Sequence, residues 1–600
     1  MKTVRNGIGR WWIHVFMARL LSCTLAGAAL QFSLIADAAP QITVTTTNKL
    51  EWIGNRMFGV NFSIEQNLFN NQFKSAMSDC GIKYIRYPGG VCTERESNGF
   101  PAFDYLTNAP YLSDILTYTK NNSSTELILT IPVFRFTAYS KGAWKKTSAD
   151  GSYYYIDNVT TLENARLHAD ANSGTNVTLG STSWTGDNVQ WQIVDAGSGY
   201  SYLVHKATGE KLHYDGYGND EPDLVSGSYM GDMVKWRFIP CYTDSCYYYL
   251  QNKGAGKILT SAGDSETACT TFITNDTTAA VAYATNFVNY VNTTLKNQIG
   301  MPKVTQWELG NEYYQWNPDT SDDDDFAAAS YAIIATAQAV ALHSMDTSFH
   351  VIAHYMMNDI NQCQIIGDYI RDNAGGSIDE VATHIYTWDA PNIEMESNVV
   401  SQLLNCNDAI GFSETGYVTE WNSHPFNSTN YKKGMKLGAR QMICFEAMAL
   451  AGVEYADLWP LMWQNDRVPM ALADADGTLR PQGQAYQWLQ QSADRTWLVD
   501  SINDSSTEDF SSLAFMDSTN RLSVLIMGGE LPLYTWVNVE INGFTFDSAL
   551  VQRMYSSSSD LQSNDPALIE SWAPTVNGNT LSFYVNKFRQ YEIIKIDLYP

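Results

Sequence analysis

The chain of 600 residues is 44% hydrophobic and 17% charged, a globular balance that excludes long disordered tracts, and its length argues for more than one domain. Lys and Arg number 37 against 64 Asp and Glu, a net charge of −27 that argues against a nucleic-acid footprint and against docking on anionic lipid. Aromatic residues reach 13%, with 17 Trp and 35 Tyr, which suits stacking surfaces for sugars as well as large cores.

At the N-terminus, Lys2, Arg5 and Arg10 form a positive region, and an uncharged stretch follows from Leu20 to Ala36. Ala36-Asp37-Ala38 is a small-x-small cleavage sequence, so residues 1–38 are expected to be an export signal and the mature chain to be secreted. No later segment approaches the roughly 18 apolar residues that span a bilayer, so no membrane association is expected after cleavage.

Eight β-rich runs then follow: Met57–Glu65, Ile82–Gly90, Glu126–Phe134, Val304–Glu312, Phe349–Met356, Val381–Trp388, Gly416–Asn422 and Tyr455–Trp463. Most are continuously apolar, as parallel strands buried on both faces are. Segments with helical spacing of apolar residues alternate with them: Asn67–Asp79, Tyr105–Lys120, Thr278–Lys296, Asp325–Ser344, Gln362–Asn373, Asn398–Cys406, Lys433–Ala451 and Gln482–Gln491. Eight alternations predict an α/β fold of the (β/α)₈ TIM-barrel kind. An open doubly wound sheet fits less well, because no G-x-G-x-x-G turn follows a strand.

Two regions break the alternation. The span between the third and fourth strands is far too long for a loop, and within it sequence echoes itself. Tyr202–Leu212 is repeated by Tyr249–Leu259, and Gly186–Trp191 by Gly231–Trp236, at offsets of 47 and 45 residues. The pattern resembles ricin-type β-trefoil lectin modules, in which each lobe carries such a Trp. The resemblance implies an inserted carbohydrate-binding β-trefoil at residues 158–274, with Trp191 and Trp236 in its core and a third such Trp missing. The barrel then occupies residues 39–157 and 275–494. From about Arg495 to Pro600 short alternating runs separated by Gly, Ser and Asn predict an antiparallel β-sandwich domain over 495–600.

Cys23 leaves with the signal, and eight cysteines remain. In an oxidising compartment Cys80 with Cys92, Cys241 with Cys246, and Cys363 with Cys406 are candidate pairs by proximity. No Cys/His spacing resembles a zinc site. Asn-x-Ser/Thr sequons stand at Asn61, Asn121, Asn122, Asn158, Asn176, Asn275, Asn292, Asn427 and Asn503.

In such a barrel chemistry sits at the C-terminal ends of the strands. Trp307-Glu308-Leu309-Gly310-Asn311-Glu312 ends the fourth run, and Val418-Thr419-Glu420-Trp421-Asn422 ends the seventh. Strands four and seven face each other across the mouth, so two carboxylates there can flank a ligand. Glycosidic bond cleavage needs that arrangement: one carboxyl protonates the leaving oxygen, the other attacks carbon or activates water. Glu308 and Glu414 are the nearest rivals and read as structural. The acidic run Asp322–Asp325 reads as a solvated helix N-terminus rather than a calcium site.

These segments resemble the clan of retaining (β/α)₈ glycoside hydrolases, over about Gln41–Gln491 less the insertion. That clan has Asn-Glu after strand four and a nucleophilic Glu after strand seven. Arg86-Tyr87-Pro88-Gly89-Gly90 is similar to a segment of α-L-arabinofuranosidases and heparanase-like glucuronidases, and such segments also occur in agarases and porphyranases. The resemblance implies Glu312 as acid/base and Glu420 as nucleophile. Asn311 would hold the sugar 2-hydroxyl, and Arg86 would hydrogen-bond Glu420 and keep it ionised. His384 and Tyr386 would orient the nucleophile or bind substrate, and Trp459 or Trp463 would form a stacking floor. The retaining mechanism further implies a carboxyl separation of about 5–5.5 Å, a raised pKa for Glu312 and a low one for Glu420. No metal or organic cofactor is needed. The substrate expected is a polysaccharide, with an agar-type galactan favoured. An α-L-arabinofuranosidase or related hemicellulase is the alternative, and a non-catalytic carbohydrate-binding protein is the reading from another class.

Overall fold

The computed structural model describes residues 41–63, 69–94, 103–105, 109–137, 143–158, 165–169, 177–214, 222–240, 247–255, 259–261, 270–271, 276–312, 321–355, 359–387, 392–411, 416–423, 433–463, 468–503, 510–528, 533–558 and 563–600. The predicted signal, 1–38, lies outside them, as do Cys241, Cys246 and Glu414.

Eight parallel strands close a barrel: Gly59–Asn61, Tyr84–Tyr87, Glu126–Ile131, Gln306–Leu309, His350–His354, Glu380–Tyr386, Tyr417–Asn422 and Tyr455–Leu458, the last pairing back to the first. Each predicted run overlaps one of them. The outward residues, such as Trp307, Leu309, Val351 and Ala353, join the apolar layer under the helices. Inward residues of the lower barrel, Tyr84, Ile128, Ile352, Ala382, Tyr417 and Tyr455, form a separate apolar plug. Two residues further along each strand the side chain again points inward, and here the interior turns polar. Arg86, Thr130, Glu308, His354, His384 and Asp457 are all buried in this second layer, directly beneath the mouth.

The helices Asn71–Asp79, Leu112–Asn121, Thr277–Asn289, Ser321–Met345, Ile360–Asn373, Asn392–Ile410, Gly434–Leu450 and Pro481–Ala493 follow the eight strands in turn. Three starts are fixed by side-chain caps: Asn70 accepts from the Phe73 N–H, Asp276 from Ala279 and Asp359 from Gln362. No described helix is long and apolar enough to cross a membrane.

The C-terminal region is a ten-stranded sheet whose core draws on strands from along its whole length, including Val44, Val499, Val524, Val537, Val551, Leu581 and Ile596. The strand Leu522–Gly528 is buried on both faces, because Leu525 and Met527 pack with the barrel cluster while Val524 and Ile526 face the sheet's own core. This domain corrects the expected boundary at residue 39. Gln41–Ile53 pairs antiparallel with Thr496–Asn503 and parallel with Leu533–Asn542, so the first described strand belongs to the C-terminal sheet and the barrel starts only at Gly59. The alternating Ile42, Val44 pattern belongs to a half-buried sheet strand, and only long-range pairing shows to which sheet.

The insertion leaves and rejoins the barrel at one place, where the Asp276 N–H donates to the Phe136 carbonyl at 2.8 Å. Its first strand, Ala143–Asp150, pairs with Tyr247–Asn252, so the inserted domain starts before the expected residue 158. Twelve described strands lie between Ala143 and Thr271. Three fully buried tryptophans repeat one contact: the Trp191 indole donates to the Leu167 carbonyl, Trp236 to Leu212 and Trp144 to Leu259, at 2.9–3.0 Å. The third tryptophan is therefore present, at Trp144. Tyr155-Ile156-Asp157-Asn158 extends the echo back through Tyr202-Leu203-Val204-His205 to a third copy.

Two sequons are closed to glycosylation, since Asn61 and Asn158 are wholly buried. The five described cysteines are buried. Neither expected pairing, Cys80 with Cys92 or Cys363 with Cys406, is formed as a disulfide, although Cys363 and Cys406 share a side-chain hydrogen bond.

Candidate active site

The two glutamates reach the mouth by different backbone devices. Strand four ends at Leu309, and Gly310 turns the chain with φ +81°. A side chain there would meet Tyr331 at 2.9 Å, so the turn needs glycine twice over. Asn311 and Glu312 follow, and Glu312 itself takes φ +45°, a conformation that non-glycine residues adopt at a cost of about 1–3 kcal/mol. The turn is gripped from below by Glu94, whose carboxylate accepts the backbone N–H groups of Val133, Phe134 and Asn311 at 2.9–3.1 Å. Burial pushes Glu94 up to about 7, against the pull of those N–H groups and of Arg135.

Strand seven carries a bulge. Thr383 pairs with Val418 but His384 pairs with Glu420, and on the other side the register jumps between Val418 and Trp421. The extra residue lets both Thr419 and Glu420 enter the interior, against simple alternation. Thr419 donates to Glu308 at 2.8 Å, one layer down, while Glu420 reaches the mouth.

Glu420 is held by Asn61, which donates from Nδ2 at 2.6 Å, and by the Tyr386 hydroxyl. Asn61 ends strand one, and Gly89 makes room for it, because a Cβ at Gly89 would stand 1.3 Å from the Asn61 Oδ1. The glycine of the Arg86–Gly90 segment is thus a space requirement. His384 Nδ1 lies 2.8 Å from Glu312 and 3.7 Å from Glu420, so the imidazole joins the two carboxyl groups. One oxygen from each glutamate and this nitrogen lie within 4.8 Å of one another. Glu312, His384 and Glu420 are the donor set that could hold a cation, as could Glu308, His354 and His384 below. One oxygen of each carboxylate within 4.8 Å is closer than the roughly 6.5–9.5 Å gap of inverting pairs.

The role expected for Arg86 changes. Its guanidinium docks on Glu308 through Nε and Nη2, and Nη2 also donates to Asn311 Oδ1 at 3.0 Å. Only Nη1 faces Glu420, at 3.7 Å, an ion pair longer than a hydrogen bond. The planar fork satisfies the buried Glu308 first, and the direct donors to Glu420 are Asn61 and Tyr386. Asn311, its oxygen taken by Arg86, keeps a buried Nδ2 with no partner among the described residues.

The low pKa expected for Glu420 is also corrected. Burial, then the facing Glu312, push it up to about 8, with Arg86 and Tyr386 pulling back. Two carboxylates this close in a buried site retain a proton between them. His384 is pushed well below its ordinary value by burial and by Arg86, and so is neutral. Asp457 is likewise raised well above the carboxylate range by burial. Its two oxygens have no hydrogen-bond partner among the described residues, and Gly59 is cut away to admit it, since a Cβ there would lie 1.8 Å from Oδ1.

Tyr386, Trp459 and Trp463 line one side of the site. The Trp459 ring stands 6.4 Å from Tyr386 and 5.8 Å from Trp463, both edge-on, over Leu437, Val468 and Met470. All eight sequence-predicted site residues, Arg86, Asn311, Glu312, His384, Tyr386, Glu420, Trp459 and Trp463, therefore fall at one mouth or in the wall beside it. Asn61, Glu94 and Asp457 were missed. Asn61 reads as a sequon, although its place at the end of strand one is a signal. Glu94 follows the Arg86–Gly90 segment with nothing around it to mark its burial.

Fold and site together define a (β/α)₈ barrel with a buried carboxylate pair at the ends of strands four and seven. No family model and no curated protein matches the chain. Solved structures do resemble it. A thermostable GH51 α-L-arabinofuranosidase from Thermotoga petrophila RKU-1 aligns with TM-score 0.51 and 13% identity over 93% of this chain and 100% of its own. A family 51 α-L-arabinofuranosidase from Bifidobacterium longum aligns with TM-score 0.53 and 10% identity over 94% and 100%. A glucosidase from Croceicoccus marinus aligns with TM-score 0.53 and 11% identity, again over 94% and 100%. At these identities the likeness is one of fold.

Proposed function

We propose that the protein is a retaining glycoside hydrolase that cleaves a polysaccharide by double displacement. The observation that carries the reading is the convergence of Glu312 and Glu420, one oxygen of each within 4.8 Å, on the shared His384. Glu420, with Asn61 and Tyr386 donating to it, attacks the anomeric carbon as Glu312 protonates the leaving oxygen. Glu312 then takes a proton from water, which attacks the same carbon and frees Glu420. Neutral His384 exchanges a hydrogen bond with Glu312 and leaves its charge state to the reaction. The Asn311 Nδ2, which has no partner among the described residues, suits a sugar hydroxyl next to the reacting carbon, where a bond that strengthens in the transition state lowers the barrier.

For the substrate we favour an α-L-arabinofuranoside. The Arg86–Gly90 segment and two of the structures named above, which are arabinofuranosidases, support this choice. The reading toward an agar-type galactan gains nothing from these neighbours. The inserted domain is read as a carbohydrate-binding β-trefoil, supported by its twelve strands and by the cyclic repetition of the Trp144, Trp191 and Trp236 contacts. Export through residues 1–38 completes the proposal.

The test is a product assay on arabinan, arabinoxylan, xylan, β-glucan, agarose, porphyran and a glucuronan, with wild type beside Glu420→Gln. Release of arabinose, lost in the variant, is expected. Cleavage of another polymer would replace the substrate class. Binding without cleavage of any polymer would favour the non-catalytic reading.

A further inference from the structure

The C-terminal domain holds a second cleft, away from the barrel mouth. It has a volume of about 370 Å³ and is lined by Trp536, Trp572, Tyr584, Glu570, Ser582 and Asn586, among others. The cleft lies where the short strand Thr575–Asn577 stops. That strand pairs with Thr580–Ser582, so among the described residues this edge of the neighbouring strand has no ladder partner from Phe583 onward. Trp536 and Tyr584 are direct cross-strand partners on the outer face, with ring centroids 5.9 Å apart. They are 53% and 49% exposed, although a position one residue along either strand would have buried them. Val537, Phe583 and Val585, the inward neighbours, fill the domain core. The two rings stand on the outer face of the sheet, outside that core.

The rest of the lining is polar. Ser582 donates to Asn538 at 2.7 Å, which fixes a hydroxyl beside Tyr584. Glu570 is paired on one side with Arg553 at 3.1 Å, and its side chain remains 44% exposed. Exposed aromatic faces interleaved with hydroxyl, amide and carboxylate groups match a pyranose or furanose ring, which offers C–H faces and a hydroxyl rim. Trp572 packs edge-on against Phe583 at 6.2 Å in the wall of the cleft. Glu570 in the wall and the net charge of −27 disfavour an acidic polymer.

We propose that this cleft is a glycan-binding site for a neutral saccharide chain, separate from the barrel mouth and independent of whether the barrel is catalytic. The test uses full-length Glu420→Gln protein labelled with 5-fluorotryptophan, so that no oligosaccharide is consumed. The Trp536 fluorine signal is assigned with Trp536→Phe. Arabinohexaose, xylohexaose, neoagarohexaose and a tri-galacturonate are titrated in turn. A saturable shift of the Trp536 signal with a neutral hexaose and none with the galacturonate is expected, with affinity weakened about tenfold or more in Tyr584→Ala. No movement of the Trp536 signal with any of the neutral sugars at millimolar concentration would overturn the proposal, as would a shift with the galacturonate alone. Cleavage assays on the wild type, run separately, report on the barrel reading, so failure of one leaves the other standing.

Discussion

Strands four and seven both deliver a glutamate to the same mouth, yet they do so by opposite means. Strand four uses a glycine turn and a strained residue, and Glu312 meets His384 there. Strand seven uses a bulge inside regular pairing, and Glu420 is met by Asn61 and Tyr386 with Arg86 behind. On the proposed mechanism the difference separates two chemical jobs. Donors aimed at a carboxylate favour its charged form and its aim at carbon. A carboxyl that faces a neutral imidazole can gain and lose a proton with little change around it.

The sharpest way to break this comparison is to remove each glutamate. Glu420→Ala is expected to lower kcat by about 10⁴-fold or more on every substrate, since no nucleophile remains. Glu312→Ala is expected to lower it by about 10²–10⁴-fold on a polymer, but much less on an aryl glycoside with an acidic phenol, which leaves without protonation. Steady-state rates across phenols of rising pKa measure both, and equal losses on all of them would dissolve the distinction.

Removing the supports should cost less. Asn61→Ala takes away a hydrogen bond to a charged group, worth about 1.5–3 kcal/mol, so a fall of about 10–100-fold in kcat is expected with KM little changed. Gly310→Ala should lower stability by about 1–3 kcal/mol, seen as a lower Tm, because a left-handed residue then crowds Tyr331. The activity of Gly310→Ala should fall as well, since Asn311 and Glu312 ride on that turn.

The smallest effects concern protons. With Glu420 raised to about 8, the pair loses its last proton near that pH, and the alkaline limb of kcat/KM is expected there. Glu94, raised from 4.5 to about 7, holds a proton in the folded state that the unfolded chain releases. The stability it gives is present below pH 4.5 and is lost as pH rises through 7. Melting curves of Glu94→Gln should therefore lose less Tm between pH 5 and pH 8 than those of the wild type.

The barrel was legible because parallel strands buried on both faces write continuous apolar runs, and all eight were found. The two glutamates of the mouth were legible from their neighbours, Asn311 and Trp421-Asn422, more than from alternation, which Gly310 and the bulge at Thr419 both break. What stayed hidden depended on long-range pairing. Gln41–Ile53 reads as a strand but not as a member of the C-terminal sheet. Asn61 touches Glu420, 359 residues away in the sequence. Trp144 belonged to a repeat that was visible in the sequence, and the echo had only to be carried back one more copy.

The central claim is that Glu420 attacks carbon while Glu312 handles the proton. The most direct test is proton NMR of the first product formed from a cleaved substrate, before the released sugar mutarotates. Product with the same anomeric configuration as the substrate is the outcome the account predicts. Product of inverted configuration would mean that water attacks carbon directly, and that Glu420 is a base and not the nucleophile.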